Sequence, residues 1–494
     1  MSDTAYQLLA IILYFAAMIA IGFYAYRRIH SLNDYMLGGR SLGPAVSALS
    51  AGAADMSQWL LMGLPGAIYV AGLVEWWIAI GLSIGAWLNW KIVAPRLRIY
   101  TQVSNDSITI PSFFDNRFKE NAKILRIVSG LIILVYFTFY VSSGFVASGV
   151  FFESSFGYDY HLGLLIVGGV IILYTLVGGF LAVSYTDFVQ GTIMFLALVS
   201  VPIFGVFVNG GLGATIEIVN QFDANWLSLT KTLTAAGLIS SLAWGLGYFG
   251  QPHIIVRFMA IRTAKETTQA RRIGIGWMVL SLAGAAATAF VGVAYFQQNP
   301  EVVLNDPEAV FIQMGQILFH PFIAGILLAA VLAAIMSTVS SQLIVTSSAL
   351  VEDIYKAVYR SDAPDKQYIL LGRIAVLVVA IVAAILAWEQ SNTILNLVGF
   401  AWAGFGASFG PIVLLALYWR RFTSQGALAG MIVGAVTVFI WGNTVLGDYL
   451  YEIVPGFLLN LIVAVLVSKA TYKPIPEVEK EFDETLRLLK EEME

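Results

Sequence analysis

Thirteen apolar stretches, each long enough to cross a lipid bilayer, run through this chain of 494 residues. A helix needs roughly 20 apolar residues to span the ~30 Å hydrocarbon core. The stretches, called segments 1 to 13 below, lie near residues 6–26, 43–70, 74–94, 124–151, 161–182, 188–209, 234–256, 273–296, 316–350, 368–388, 394–419, 424–445 and 450–469. Only 12% of the residues are charged, whereas soluble domains carry about 25%. The sequence therefore predicts an all-α polytopic membrane protein with 13 transmembrane helices.

The positions of the basic residues predict how the chain is oriented in the membrane. With the amino terminus outside, the inward-facing loops hold 26 of the 27 Lys and Arg residues, and Lys231 is the exception. Those loops are 27–42, 91–126, 183–187, 257–272, 351–373, 420–423 and the chain from 469. Cytoplasmic loops carry an excess of Lys and Arg. We therefore expect the carboxyl terminus in the cytoplasm, a single transmembrane domain over residues 1–470 and a charged cytoplasmic tail over 471–494.

Composition and loop length exclude several classes of function. Cysteine is absent, so disulfides, thiolate catalysis and cysteine–metal sites are excluded. The longest loops are too short to bury a hydrophobic core of their own, so no soluble catalytic domain is expected. The sequence has no HExxH motif and no pair of carboxylates in the middle of the membrane. The chain is therefore not expected to be an enzyme.

Two segments contain residues that break helices. Segment 2 includes ALSAGAADMSQWLLMGLPGA, with Asp55 in its middle, and segment 7 includes SSLAWGLGYFGQPHIIVRFMA, with several Gly and Pro252. Backbone groups freed at membrane depth are tolerated only where they are buried in protein or line a cavity. Two interrupted segments in matching positions of two halves point to the binding site of a transporter. We therefore predict an inverted repeat of five plus five helices, over about 43–209 and 234–419, with helices 2 and 7 broken and Asp55 beside a cation.

Hydroxyl side chains line one face of segment 9, in the stretch AAIMSTVSSQLIVTSS. Ser337, Ser340 and Ser341 recur at positions i, i+3 and i+4, so they share a helix face. Hydroxyl oxygens suit a hard cation such as Na+, and a broken helix nearby supplies carbonyl oxygens. The alternative is a packing face of small residues whose hydroxyls bond to carbonyls of their own helix.

Other polar and aromatic residues lie near the ends and breaks of the segments. Asp187, at the inner end of segment 6, is interpreted as a solvated interfacial residue, and Arg40 is explained by its place in a cytoplasmic loop. His253 offers a group that carries a proton, although a lone histidine of this kind is more often structural. Aromatic side chains lie in the two interrupted segments and in segment 4, namely Trp59, Tyr140, Trp244 and Tyr248. Such stripes mostly serve packing, but those beside helix breaks favour a pocket for a small solute.

Six stretches are similar to those of one family of transporters. They are DYMLGGRSLGP (34–44), ALSAGAADMSQWLLMGLPGA (48–67), GGFLAVSYTDFVQ (178–190), WGLGYFGQPHI (244–254), AAIMST (333–338) and WAGFGASFGP (402–411). The chain resembles the solute:sodium symporters over roughly residues 5–470, and within them the bacterial sodium/proline symporters. The resemblance implies thirteen helices around an inverted five-plus-five core of the leucine-transporter type.

The resemblance also implies a sodium site between helices 2 and 9. Its ligands would be the backbone carbonyls of Ala53, Met56 and Ala334 and the hydroxyls of Ser337 and Thr338. The positions that match residues linked to sodium coupling are Asp55, Asp187 and Arg40. A second sodium, which some members of the family hold, would use Asp187, Ser337, Ser340 and Ser341.

Positions associated with the substrate are implied in the same way. They are Ser57, Trp59, Tyr140, Trp244, Tyr248 and Pro252. Gln58 departs from the family pattern, because the proline members carry Gly directly after the serine of this motif. We place Gln58 among the substrate-binding residues, where it alters the shape of the pocket relative to that pattern.

These observations predict a secondary active symporter that couples Na+ entry to L-proline uptake by alternating access. The expected partners are L-proline, Na+ and the lipid of a bacterial cytoplasmic membrane, with no cofactor, no nucleic acid and no obligate protein partner. Another small solute, such as pantothenate or a related amino acid, and coupling to protons are the alternatives within transporters. A cation channel and a membrane sensor are alternatives outside them, although the sequence shows neither a filter-like run nor a signalling domain.

Overall fold

The computed structural model describes residues 1–119, 122–359 and 362–494. Across these ranges the chain forms helices and no β-strand. Ten helices within them are long and apolar enough to cross a membrane. They are Asp3–Tyr26, Leu73–Val103, Lys123–Phe156, Tyr160–Val208, Glu266–Gln298, Pro321–Val358, Asp365–Leu386, Ile394–Tyr418, Ser424–Gly442 and Ile453–Thr471. The prediction of an all-α, multi-pass membrane protein is confirmed.

The number of long helices differs from the number of predicted segments for two reasons. Segments 2 and 7 are broken into shorter helices, and segments 5 and 6 form one helical run, Tyr160–Val208. The inward loop predicted over 183–187 is therefore wrong, since those residues are helical. The count of thirteen crossings stays a prediction.

The run that joins segments 5 and 6 turns back on itself at Gly179. The backbone there has φ 59° and ψ −151°, a conformation that glycine adopts most readily. Tyr174 packs against Gly22, while Tyr185 contacts Tyr24 at 6.4 Å between ring centroids. In a straight helix, residues 174 and 185 would be about 16 Å apart. Their contacts on segment 1, Gly22 and Tyr24, are only two positions apart in one helix. The two arms therefore meet the same end of segment 1, as two separate segments would.

Segment 2 is broken directly after Asp55. Helix Pro44–Asp55 ends there, and Met56 has φ −75° and ψ 77°. The chain resumes through the π-helical turn Trp59–Gly63 into helix Leu64–Ala71. Turns of this kind are frequent at functional sites. The break takes Ser57 out of the α-helical hydrogen-bond pattern, since its N–H bonds to the Asp55 carbonyl at 2.8 Å.

Segment 7 is broken as well. It consists of helix Ala235–Leu242, the tighter 3₁₀ stretch Ala243–Gly250 and helix Pro252–Ala260, with Gln251 extended at φ −81° and ψ 106°. Pro252 takes the first helical position, where no N–H is needed. The predicted breaks in helices 2 and 7 are thus confirmed.

Close packing encloses the broken part of segment 7. A Cβ atom at Gly85 of segment 3 would lie 2.2 Å from the carbonyl oxygen of Gly245. On another side, the indole N–H of Trp402 in segment 11 donates to the Trp244 carbonyl at 2.8 Å. The backbone that departs from the α-helix is therefore covered by protein, as backbone at membrane depth must be.

Segment 9 begins later than predicted and lies at the centre of the molecule. Helix Pro321–Ser348 starts after Phe319, which is extended at φ −123° and ψ 156°, rather than at residue 316. The most apolar stretch of this segment is 83% buried, whereas the figure for segments 1, 12 and 13 is 33%. In segments 1, 12 and 13, about two thirds of the residues of that stretch are therefore not buried by the rest of the protein.

Short helices lie in the connections between the long ones. They are Leu32–Leu37, Ile110–Phe118, Leu212–Phe222 and Val310–Leu318. The first two begin with a capping box, at Ser31 and Thr109, in which side chain and backbone satisfy each other's N–H groups. The first of them leads into the loop that carries Arg40.

The carboxyl-terminal tail forms helix Pro476–Met493, which packs on the rest of the protein. Its Phe482 is 6% exposed and lies 6.1 Å from the ring of Tyr100. The Glu492 carboxylate accepts a hydrogen bond from the Ala264 N–H at 2.6 Å. The predicted charged tail is thus an amphipathic helix attached to the ends of segments 3 and 7.

Candidate sodium and substrate site

Asp55 lies at the junction of the two broken segments. Its carboxylate is 3% exposed and accepts a hydrogen bond from the Tyr248 hydroxyl of segment 7. The Trp59 indole N–H donates to the Asp55 carbonyl at 3.1 Å. The second carboxylate oxygen has no hydrogen-bond partner among the described residues. Because a buried polar oxygen without a partner is costly, this atom favours a nearby cation or donor.

Four of the five predicted sodium ligands meet between segments 2 and 9. The Ser337 hydroxyl donates to the Ala53 carbonyl at 2.7 Å, and the Thr338 hydroxyl donates to the same carbonyl at 3.4 Å. Ser337 Oγ also lies 3.3 Å from the Ala334 carbonyl oxygen. All four residues are fully buried. Hydroxyls rotate freely and offer lone pairs, so these oxygens are able to turn toward one cation.

Met56, the fifth predicted ligand, lies at the break itself. Its N–H is still bonded to the Gly52 carbonyl at 2.7 Å, but its ψ of 77° turns its own carbonyl away from the helix axis. That carbonyl accepts no hydrogen bond from Ser337 or Thr338. Its role as a ligand stays a prediction.

Asp187 forms an ion pair with Arg257, and neither side chain is exposed. Arg257 Nη2 lies 3.1 Å from the carboxylate and 2.7 Å from the Ser341 hydroxyl, and its Nε lies 3.0 Å from Ser50 Oγ. Ser50 in turn donates to Asp187 at 2.7 Å. This network connects segments 2, 6, 7 and 9. The interpretation of Asp187 as a solvated interfacial residue is therefore wrong.

Arg257 is the residue of this site that the sequence pattern did not reveal. The predicted inward loop begins at residue 257, but Arg257 lies inside helix Pro252–Ala260 and is fully buried. A count of basic residues cannot distinguish an arginine in a loop from one near the end of a helix. The available signal is its position within HIIVRFMA, with apolar residues on both sides.

Two of the four residues predicted for a second sodium, Asp187 and Ser341, contact that arginine. The hydroxyls of Ser340 and Ser341 donate to the Ser337 carbonyl at 3.2 Å and 2.7 Å, which is the bonding expected of a packing face. Ser341 also accepts from Arg257, whose guanidinium lies between Ser341 and Asp187. A second sodium at this place stays a prediction.

Four of the predicted substrate-binding residues surround the break in segment 2. The hydroxyl oxygens of Ser57 and Tyr140 are 3.4 Å apart, and the Trp59 N–H donates to Ser57 Oγ at 3.4 Å. Tyr248 contacts the ring of Trp402 edge to face at 5.0 Å. Trp402 lies in a motif that the sequence singles out, but no role is predicted for it. The four side chains therefore offer hydroxyls and rings next to Asp55.

Gln58 connects the same break to segment 4. Its Nε2 donates to Ser143 Oγ at 2.8 Å, and Ser143 donates to the Tyr140 carbonyl at 2.5 Å. The Gln58 side-chain oxygen is buried and has no hydrogen-bond partner within the described part of the chain. A glycine at this position would lack the hydrogen bond to Ser143, so Gln58 adds a link between the break and segment 4.

Trp244 lies apart from the four side chains around the segment 2 break and lines a separate cavity. It stacks on Tyr451 at 5.2 Å between ring centroids and lines a cavity of about 850 Å³. Every charged side chain that lines this cavity is acidic, namely Glu75, Glu389, Asp448 and Glu452. A cleft of one charge sign raises the local concentration of the opposite ion, so this cavity favours cations. Pro252 contributes the start of the second half-helix.

Arg40 contacts neither the sodium ligands nor Asp187. Its guanidinium donates to Asp106 at 2.9 Å, to Thr101 at 3.1 Å and to the Met259 carbonyl at 2.8 Å. Burial lowers the pKa of Arg40, and the Asp106 carboxylate opposes that effect. Arg40 joins the loop after segment 1 to the end of segment 7, so any influence on sodium must be indirect.

Comparison with known proteins gives the family. The profile of the Sodium:solute symporter family matches residues 35–434. The chain belongs to this family. The high-affinity proline transporter PutP of Bacillus subtilis (strain 168) is 60% identical over 94% of this chain and 98% of its own length. The sodium/proline symporter of Staphylococcus aureus (strain JH9) is 51% identical over 97% of this chain and 96% of its own. The predicted family is confirmed.

A second Bacillus relative and two solved structures complete the comparison. The osmoregulated proline transporter OpuE of Bacillus subtilis (strain 168) is 53% identical over 97% of both chains. A Na+-coupled sialic acid symporter superimposes with a TM-score of 0.80 at 21% identity, covering 95% of this chain and 98% of that one. Mhp1, a nucleobase-cation-symport-1 family transporter, gives 0.54 at 13% identity over 91% and 98% of the two chains. The predicted fold is confirmed.

Proposed function

We propose that this protein is a secondary active symporter that couples the entry of Na+ to the uptake of L-proline. The observation that carries the proposal is the cluster of buried oxygens from Ala53, Ser337 and Thr338, in which Ala53 precedes Asp55 by two residues. The names of its relatives, which are proline transporters at 51% to 60% identity, support the substrate. We further propose a cytoplasmic-membrane location with the amino terminus outside, a transporter domain over 1–470 and no cofactor besides the coupling ion.

Sodium would bind between segments 2 and 9. The Ala53 and Ala334 carbonyls and the Ser337 and Thr338 hydroxyls would contact the ion, and Met56 would add its freed carbonyl. Asp55 need not contact the ion in order to stabilise it. At ~5 Å and an effective dielectric near 20, two opposite unit charges attract by about 3 kcal/mol before desolvation. That attraction is sufficient to favour cation occupancy.

Proline would bind between the two breaks. Ser57 and Tyr140 offer hydroxyls, and Trp59 and Tyr248 offer rings on which the pyrrolidine packs. Arg257 is the basic side chain nearest in sequence to the break of segment 7, but it is already paired with Asp187. The substrate carboxylate would therefore meet N–H groups at the start of a half-helix, where the helix dipole favours negative charge.

The link between ion and substrate is the hydrogen bond from Tyr248 to Asp55. A sodium ion that orders the end of helix Pro44–Asp55 fixes Asp55, and Asp55 positions Tyr248 in the other broken segment. The ion thereby prepares the substrate site, and release of the ion on the inner side loosens it. This order of events is a form of alternating access in which the ion binds before the substrate binds tightly.

The energy available from one sodium ion is sufficient for accumulation. Zwitterionic proline adds no net charge, so each sodium carries one charge inward. A potential of 100 mV contributes about 2.3 kcal/mol, and each tenfold sodium gradient contributes about 1.4 kcal/mol. Together they support roughly a hundredfold or greater accumulation of substrate.

The deciding experiment is uptake of labelled proline into proteoliposomes that contain the purified protein. An inward sodium gradient should drive accumulation, and the same gradient made of choline should not. A proton gradient in sodium-free medium tests the rival coupling ion, and excess unlabelled pantothenate or other amino acids tests the rival substrates. Accumulation in choline medium would contradict the proposed coupling, and competition by pantothenate but not by proline would contradict the proposed substrate.

A further inference from the structure

Four oxygen atoms converge on the guanidinium of Arg257, three from segments that pack around it and one from its own helix. They are the Asp187 carboxylate, the hydroxyls of Ser50 and Ser341, and the His253 carbonyl, at 2.5 Å to 3.1 Å. A carboxylate, hydroxyls and a carbonyl are the ligand types that hard cations such as Na+ prefer. Without Arg257, the same set of oxygens would be a candidate sodium site.

We propose that Arg257 is a resident cation. Its guanidinium holds the place between Asp187 and Ser341 that a sodium ion would otherwise take, so the transporter binds a single sodium per transport cycle. The inference rests on the proposed function for the meaning of that cycle, but it concerns a different position from the site between Ala53 and Ser337.

The burial of the pair explains why the place has to be filled. Asp187 and Arg257 are both without exposed surface, and a buried carboxylate without a counter-charge is strongly disfavoured. Arginine keeps its charge in proteins, so it supplies the positive charge at every stage of transport. A sodium ion in the same place would come and go. The second Asp187 oxygen has no hydrogen-bond partner in the described residues, which leaves one more ligand for a metal ion if the guanidinium is removed.

The two cation positions are adjacent but distinct. Ser341 donates to the Ser337 carbonyl at 2.7 Å, and Ser337 donates to the Ala53 carbonyl at 2.7 Å. Residues 337 and 341 are one helical turn apart, which corresponds to about 6 Å along the helix axis. One face of segment 9 therefore contacts two cations. They are an exchangeable sodium ion at Ser337 and the guanidinium of Arg257 at Ser341.

The first test counts the sodium ions that bind to the purified full-length protein. Equilibrium binding of ²²Na+ should give one ion per chain for the wild type and for Arg257→Lys, which keeps the charge. Arg257→Ala should bind two, and Arg257→Ala combined with Asp187→Asn should return to one. Two ions in the wild type, or one in Arg257→Ala, would overturn the proposal. This count uses sodium alone. If proline were the wrong substrate, the uptake test would fail, but the number of bound sodium ions would still test the role of Arg257.

A second variant covers the case in which Arg257→Ala does not fold. Arg257→Gly can be purified in the presence of guanidinium ion, which replaces the missing group. Guanidinium should then compete with one of two bound sodium ions, and its removal should let the second ion bind. In proteoliposomes, the ratio of charge moved to substrate moved should rise from one to two. The proposal that Arg257 is a resident cation would be contradicted if guanidinium displaced neither sodium ion. It would also be contradicted if a folded variant kept the wild-type ratio of charge to substrate.

Discussion

The proposed function gives Ser337 two roles, packing and ion binding. Its hydroxyl donates to Ala53 in another segment rather than only to its own helix. A hydroxyl that bonds across two segments holds them together while the ion is absent and offers its oxygen when the ion arrives. The hydroxyls of Ser340 and Ser341 donate within their own helix, and Ser341 also accepts from Arg257 of segment 7, so the three serines of one face make different contacts.

Replacing Ser337 should therefore affect sodium more than proline. Ser337→Ala removes one oxygen ligand, and we expect the apparent Km for sodium to rise roughly tenfold, which corresponds to the loss of about one hydrogen bond to a charged group. The Km for proline at saturating sodium should change by less than about twofold. Both are measured as initial uptake rates in proteoliposomes.

The matched control is Ser348→Ala on the same helix. The Ser348 hydroxyl donates to the Ile344 carbonyl of its own helix at 2.8 Å, so its loss should leave both constants unchanged. Equal losses of sodium and proline affinity in Ser337→Ala, at normal protein levels, would argue against its assignment as a sodium ligand.

Tyr248 should transmit the effect of sodium to the substrate. Tyr248→Phe removes one oxygen atom and with it the hydrogen bond to Asp55. Hydrogen bonds to charged groups contribute about 1.5–3 kcal/mol, so the factor by which sodium strengthens proline binding should fall about tenfold or more. The measurement is the Km for proline at low and at saturating sodium. Tyr136→Phe, which loses a hydrogen bond to the Ala435 carbonyl, is the control, and an unchanged factor in Tyr248→Phe would exclude this link.

At the scale of the elements, the breaks are held open by their neighbours rather than by their own sequence. The 3₁₀ stretch Ala243–Gly250 is enclosed by segment 3 on one side and by Trp402 on the other. Segment 2 is fixed in a similar way, since Gln58 bonds to Ser143 of segment 4. Helix breakers permit the unwound backbone, and packing determines its path.

Filling the contact between segments 3 and 7 should disrupt the site. Gly85→Ala would place a Cβ atom 2.2 Å from a backbone oxygen of Gly245, and backbone cannot rotate away. We expect a loss of about 1–3 kcal/mol of stability and at least a tenfold fall in uptake. The measurements are the midpoint of thermal unfolding and the uptake rate.

Gly276→Ala provides the comparison, because a Cβ atom at Gly276 would have no neighbour within 4 Å. That variant should keep wild-type stability and transport. If Gly85→Ala behaved in the same way, the close approach of the two segments would not be essential.

The whole molecule includes its carboxyl-terminal helix. Helix Pro476–Met493 buries Val478, Phe482 and Thr485, and Lys119 pairs with Glu481 at 2.6 Å. The tail is therefore part of the folded structure rather than a solvated extension, although its composition is strongly charged.

Loss of the buried ring of this helix should lower stability. Full removal of a buried Phe side chain costs about 3–5 kcal/mol, and Phe482 is 6% exposed, so Phe482→Ala should clearly lower the midpoint of thermal unfolding in detergent. Leu486→Ala on the same helix, at a position that is 36% exposed, should have little effect. Equal midpoints for the two variants would mean that the helix is not held by its apolar face.

The sequence alone determined the class of the protein and the two helix breaks at which its candidate site lies. Segment length and polarity fix a membrane protein because lipid offers no hydrogen bonds. Gly, Pro and Asp55 mark the breaks because their effects are local. The spacing of Ser337 and Ser341 also follows from the helical repeat alone.

Only the tertiary structure decided which polar groups meet. Arg257 and Asp187 are 70 positions apart. The sequence around each residue, taken alone, predicts a charged side chain in a loop or at the membrane interface. The sequence predicts a loop over 183–187 between segments 5 and 6, and only the structure places the reversal at Gly179; the place of the tail likewise depends on the surface against which it packs. The partner of a buried charge is set by proximity in space, because the Coulomb energy depends on distance and burial and not on position along the chain.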